Sequence, residues 1–308
     1  MKPMGRVRHP SAIGFYPERK DVLIDSIQSC FLDKFGPGKI PKVKQEYKGN
    51  IIAGVTPHAG YIYSGPVASH IYHAIAADGF PETFVLIGPK HMRMRLQGAA
   101  IMAEGIWSTP LGECPIDTDL AKAILSYGAQ PTFCIDENQE AHNNEHSLEV
   151  QLPFLQFLSK EQPVQIVPIV IASENYKICE CVGKAIAAGV NKSGRDVTIL
   201  ASTDFTHYGT RFYYTPAGGG PIEKTIKWIY EKDGDLIQKI EQLDGEALLN
   251  TVVREGRTMC GHSAVTTMLV TAAQLGASKG TLLKYATSYD VRGGLDPIVG
   301  YASMKITR

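Results

Sequence analysis

Apolar and polar positions alternate along this chain in two periods. A helical period places Val22, Leu23, Ile27, Phe31 and Phe35 on roughly one side of residues 19–35. The run 51–56, IIAGVT, is short and apolar, as a buried strand is. A helix is then expected near 65–78, and strand 83–88 (TFVLIG) ends at Gly88-Pro89. Strand 98–103 precedes a turn-rich piece, WSTPLGE. Helices are expected near 117–127 and 146–159. Strand 164–171, VQIVPIVI, is almost wholly apolar, the pattern of a strand covered on both faces. A helix near 174–188, strand 196–202 and helices near 221–242, 245–254 and 262–275 follow. Strands 281–289 and 298–306 close the chain. Alternating strands and helices of this kind predict a three-layer α/β sandwich around a largely parallel central sheet. No long linker, repeat or low-complexity tract interrupts 1–308, so a single domain is expected.

Composition narrows the function classes. The chain has 308 residues, with 31 Lys and Arg against 31 Asp and Glu. A balanced charge gives no electrostatic reason to expect nucleic acid or an anionic membrane as partner. No apolar run approaches the roughly 20 residues of a membrane span. The start, MKPMGRVRHPSA, is basic but lacks the apolar centre of a signal peptide, so a cytoplasmic location is expected. The six cysteines at 30, 114, 134, 179, 181 and 260 show no CxxC pair and no dense framework. They are expected to be reduced core thiols, and Cys179 and Cys181, two apart on a helix, to face different directions.

In an open α/β sheet, ligands bind beyond the carboxyl ends of the strands. Three expected strands run there into histidines: His58 after 51–56, His91 after 83–88 and His207 after 196–202. One loop histidine is ordinarily a polar surface group. Three at equivalent positions could converge, and neutral imidazole is the commonest ligand for first-row transition metals. The stretch 140–149 adds His142, Glu145, His146 and Glu149. His142 and His146 are one helical turn apart, but HNNEH lacks the Glu that follows the first His of the two-histidine zinc motif. Glu145 and His146 are therefore expected to support a site or touch substrate, with Asn144 or Ser147 capping a helix. Cys260 precedes the expected helix 262–275, where the helix dipole favours thiolate. It reads as a third metal ligand, a nucleophile or a small buried thiol.

The motifs PHAGYIYSG, IGPKH, EHSLEVQLPFL, STDFTHYG and MCGHSA, in this order, closely resemble the Memo family, whose bacterial and archaeal members are called AmmeMemoRadiSam system protein B. The resemblance spans nearly the whole chain. It implies a fold like that of the LigB-like class III extradiol dioxygenases, which are non-haem iron enzymes. It implies His58, His91 and Cys260 as metal ligands, with Asp204, His207 and His146 beside them. Cys260 then stands where those dioxygenases have a glutamate. A thiolate softens the site, so dioxygenase chemistry does not follow from the fold alone.

Three readings follow. The first is a metal-dependent, redox-active protein using one transition-metal ion: iron first, copper next, zinc as competitor. In it His207 is the acid/base, Asp204 its orienter, and Tyr61 and Tyr208 close the pocket over a small molecule or peptide. The second is a metal-free hydrolase with Cys260 as nucleophile, His207 as base and Asp204 as orienter. It leaves His58 and His91 without a role. The third is a peptide- or protein-binding module. The family name implies a radical SAM protein and an AMMECR1-domain protein as partners.

Overall fold

The computed structural model describes residues 6–96, 98–128, 134–160, 162–218 and 221–308. Residues 1–5 of the basic start lie outside them. The first half comprises β1 (Val7–Arg8), α1 (Lys20–Leu32), β2 (Ile51–Thr56), α2 (Tyr61–Asp78), β3 (Thr83–Pro89), β4 (Ala99–Ile101), β5 (Ile106–Thr109), β6 (Gly112–Pro115), α3 (Thr118–Gly128) and β7 (Ile135–Glu137). Next come α4 (Glu140–Asn143), α5 (His146–Glu149), α6 (Leu152–Ser159), β8 (Gln165–Ile171), α7 (Tyr176–Ser193), β9 (Val197–Ser202) and β10 (His207–Tyr208). The chain finishes with α8 (Ile222–Glu241), α9 (Gly245–Glu255), α10 (His262–Gln274), β11 (Lys279–Thr287), α11 (Ser288–Arg292) and β12 (Ile298–Thr307).

The apolar runs form the centre of a nine-stranded sheet, ordered β10-β12-β2-β9-β3-β8-β4-β7 with β11 paired to β12. Strands β2, β9, β3 and β8 are mutually parallel. Every residue of β2, β3 and β9 is buried, as strands covered on both faces must be. Antiparallel pairs flank this centre, β12 on β2 and β4 on β8. Helices α1, α2 and α6 pack together on one face; α3, α7, α10 and α9 form the other layer. The carboxyl ends of β2, β3 and β9 therefore share one edge.

The expected helix near 65–78 begins four residues earlier, at Tyr61, and Pro66 lies inside it. Proline lacks the N–H that would bond the Ile62 carbonyl. That carbonyl accepts from Arg292 Nε instead, at 2.6 Å, so the helix runs through the proline. The expected helix 146–159 is two helices, α5 and α6, divided ahead of Pro153. WSTPLGE is not a turn alone: it forms the β5–β6 hairpin, which with β1 makes a separate three-stranded sheet.

The cysteine expectation needs correction. Cys134 and Cys181 are joined by a disulfide, with Cα atoms 6.2 Å apart. Cys30, Cys114 and Cys179 are free and buried; Cys179 Sγ donates to the Ser173 carbonyl while Cys181 forms the disulfide. No helix among the described residues is long and apolar enough to cross a membrane.

Candidate metal centre

His58 follows β2, His91 follows β3 and His146 opens α5. Their rings meet beyond the strand ends. Centroids are 5.2 Å apart for His58–His91, 5.5 Å for His58–His146 and 4.5 Å for the stacked His91–His146 pair. One donor atom from each lies within 4.8 Å of the others, so this group could hold a metal ion.

Two packing features bring α5 and α10 to that edge. A Cβ on Gly88 would stand 2.6 Å from Ser147 Oγ, so only glycine there lets α5 sit against the end of β3. A Cβ on Gly261 would stand 2.4 Å from the Ser202 carbonyl, so glycine likewise seats the start of α10, and Cys260 with it, on the end of β9.

Hydrogen bonds fix which nitrogen His58 and His91 offer. Ser202 Oγ donates to the Ser147 carbonyl at 2.7 Å and accepts from Gln151 Nε2 at 3.0 Å. With its proton committed, it can only accept from His58 Nδ1, 2.9 Å away. His58 therefore carries its proton on Nδ1 and leaves Nε2 a free lone pair. Glu145 does the same for His91: Oε1 accepts from Nδ1 at 2.8 Å and Oε2 from the His91 backbone N–H at 2.7 Å. Glu145 Oε1 also accepts from Ser147 N–H at 2.9 Å, capping α5. Burial pushes the Glu145 carboxyl up, but these bonds and the neighbouring His91 outweigh it and bring it down to about 2. His58 is held well below the usual imidazole range, by burial first and then by His91. His146 is lowered to about 3 by burial and by His58 and His91. All three changes favour a neutral-imidazole, ionised-carboxylate site, which is the form a cation needs.

Gln151 ties the centre together. Its amide nitrogen donates to the Pro57 and Ser147 carbonyls and to Ser202 Oγ; its oxygen accepts from Thr56 Oγ1 and Tyr72 Oη. Underneath, Arg8 and Glu149 form a buried ion pair. Arg8 also donates to the His142 and Glu145 carbonyls, and Glu149 accepts from Tyr16 Oη and from the Ser11 and Ala12 N–H groups. The N-terminal segment is thereby clamped to α5. Sequence patterning passes over Arg8, Gln151 and Ser202, and marks Glu149 without revealing its partner Arg8.

Cys260 Sγ lies 3.2 Å from His58 Nε2 and accepts from the Asp204 N–H at 3.3 Å. It is outside the group whose donors all fall within 4.8 Å; His146 is inside it. Burial and then the Asp204 carboxylate push the Cys260 thiol up, against the expected helix-dipole thiolate. Asp204 does not orient His207. Its Oδ1 accepts from the His58 backbone N–H at 2.9 Å, and burial raises its pKa. His207 Nδ1 instead faces the Phe205 and Thr258 carbonyls, each at 2.9 Å, with its ring edge-on to Phe212. Its Nε2 is left as acceptor. The triad Cys260–His207–Asp204 is thus not assembled: the imidazole touching the thiol belongs to His58.

The expected pocket-closing tyrosines lie elsewhere. Tyr61 is buried, its hydroxyl donating to the Val150 carbonyl at 2.7 Å. Tyr208 packs with Ile229, Ile298 and Trp228. Glu145 is fully buried under His91, so it faces a histidine and not an open pocket. His142 points away, edge-on to Trp107, and α4 and α5 are separate helices, so HNNEH is not one metal-binding helix.

The fold and this edge define an α/β protein with a metal-capable histidine cluster at the carboxyl ends of parallel strands. The chain belongs to the Memo family: the model for Memo-like proteins matches residues 8–305. A MEMO1 family protein of Thermococcus onnurineus is 39% identical over 302 residues, covering 97% of this chain and 98% of that one. Relatives from Methanothermobacter thermautotrophicus and Methanopyrus kandleri are 36% and 37% identical, covering 97% and 98% of this chain and 99% of each relative. An uncharacterized Escherichia coli K12 protein of known structure aligns with TM-score 0.48 and 12% identity, over 82% of this chain and 99% of that one.

Proposed function

We propose that this chain is a redox-active metal protein of the Memo family that binds one iron or copper ion between His58, His91, His146 and Cys260. The observation that carries the reading is the pair of locked tautomers: Ser202 and Glu145 each take the Nδ1 proton of a neighbouring imidazole and leave its Nε2 available. Such outer partners orient ligands and raise their basicity. Cys260 joins His58 and His91 as the sequence motifs imply, because a cation beside its thiol would offset the burial and the Asp204 charge that now disfavour thiolate. His146 is a fourth donor.

The bound ion would supply one-electron chemistry and open positions for a small co-substrate. The protein supplies the rest. Asp204 holds the backbone at His58. His207, with Nδ1 pinned by two carbonyls, presents Nε2 as a general-base acceptor. Zinc suits the same donors but not the redox chemistry.

The test is elemental analysis of untagged protein purified without chelator, beside His58→Ala, His146→Ala and Cys260→Ser. Near-stoichiometric iron or copper, lost in His58→Ala, is expected. Full metal retention in folded His58→Ala refutes the assignment. His207→Ala should keep metal and lose any oxygen-dependent turnover.

A further inference from the structure

The cleft that opens onto Cys260 has a volume of about 750 Å³, within the range of small-molecule sites. It runs between the loop after β3, the loop after β8 and the start of α10. Its walls differ in character. Leu96, Ile171 and Ala172 form an apolar side. Lys90 lines another; it is half-buried, and its Nζ donates to the Met94 carbonyl at 2.5 Å. No acidic side chain pairs with Lys90 among the described residues, nor with Arg93 and Arg95 on the same loop. His262 and Ser263, also lining the cleft, begin a 13-residue helix that no side chain caps, and their end of its dipole is positive. Glu174, exposed, is the one carboxylate on the lining.

We propose that the substrate of the site is a small organic anion, with a carboxylate or phosphate seated against Lys90 and an apolar body lying along Leu96, Ile171 and Ala172 toward Cys260. The proposal rests on the metal-centre reading, because that reading places the ion beside Cys260, at the inner end of this cleft. The exposed Arg93 and Arg95 add positive charge at the entrance, which raises the encounter rate of an anion and lowers that of a cation. A charge-assisted bond to a half-buried ammonium discriminates against a neutral isostere by about tenfold or more.

The experiment is calorimetric titration of the purified protein with matched probes: phenylacetate against phenylacetamide, then phenyl phosphate against inorganic phosphate. It is run with zinc-loaded and metal-free protein, and repeated on Lys90→Gln and Lys90→Arg. Phenylacetate should bind at least about tenfold more tightly than its amide. That contrast should vanish in Lys90→Gln and largely return in Lys90→Arg. Phenyl phosphate exceeding phenylacetate would assign a phosphate ester, and the reverse order a carboxylate; inorganic phosphate, lacking the apolar body, should bind more weakly than either. Equal binding of acid and amide overturns the proposal. So does a contrast that survives Lys90→Gln, including one that needs the metal, since the anion would then sit on the ion and not in the cleft. Metal content, measured separately, tests the other reading: a chain that binds no metal yet keeps a Lys90-dependent contrast refutes the metal centre and leaves the anion cleft standing.

Discussion

Glu145→Gln isolates what the carboxylate does for His91. The change keeps the shape and the helix-capping position but replaces one oxygen by an NH2 group. Glu145 now accepts from three N–H groups: His91 Nδ1 at 2.8 Å, His91 backbone N at 2.7 Å and Ser147 N at 2.9 Å. A glutamine oxygen can serve either the Nδ1–Ser147 side or the His91 backbone side. Its amide then faces a donor on the other, donor against donor. If it faces Nδ1, the imidazole gains by moving its proton to Nε2, where a metal needs the lone pair. Loss of one such outer partner costs about 10–100-fold in metal affinity, or about 1.4–2.7 kcal/mol. The assay is competition for zinc against a chromophoric chelator at fixed pH. Urea unfolding of the metal-free forms runs alongside, so that a folding defect is read separately. Affinity within about twofold of the parent, in a folded variant, would refute the claim that the Glu145 carboxylate supports His91 as a ligand.

Arg8→Ala should destabilise the protein by about 3–5 kcal/mol, because Glu149 stays buried without its cation; urea denaturation of the variant showing a loss below about 1 kcal/mol would sink the clamp. Asp233, buried and accepting from Thr206 and Tyr285, is pushed by burial up to about 6. Its folded pKa lies above the ordinary carboxylate value, so native protein holds more protons between about pH 4 and 6. Stability linked to it is complete below about pH 4 and falls as pH rises through 6, by at most about 3 kcal/mol. Asp233→Asn should flatten that part of the urea-midpoint profile, and a profile of unchanged slope would contradict the assignment.

The parallel core was legible because β2, β3, β8 and β9 are apolar on both faces, and the strand-end rule then pointed to His58 and His91. The β5–β6 hairpin was hidden because Pro110 and Gly112 read as loop punctuation, while its pairing depends on a distant β1. Tyr61 looked like a loop residue because Gly65-Pro66 suggests a break; the arginine that rescues the helix is 230 positions away in sequence. His207 lies five residues beyond β9 and opens the short strand β10, where two carbonyls turn its Nδ1 aside; no pattern of residue types records where a carbonyl points. The metal-capable cluster takes His146 for a similar reason: α5 reaches β3 through the missing side chain of Gly88. The disulfide escaped because 47 positions separate its cysteines and no spacing rule links them.

Contacts around the site span long stretches of chain. His58 and Cys260 are 202 positions apart, Arg8 and Glu149 are 141 apart, and the strand bearing His58 is hydrogen-bonded to β12, the final one. Such loops are closed only when most of the sheet has formed. A growing or partly unfolded chain therefore presents scattered imidazoles and a lone thiol, with no assembled set of donors. Any metal affinity of the centre is then a property of the completed molecule, and a bound ion would add RT ln(1 + [M]/Kd) to the stability of that molecule alone. On the proposed reading, loading with metal would mark and protect only chains that have finished folding.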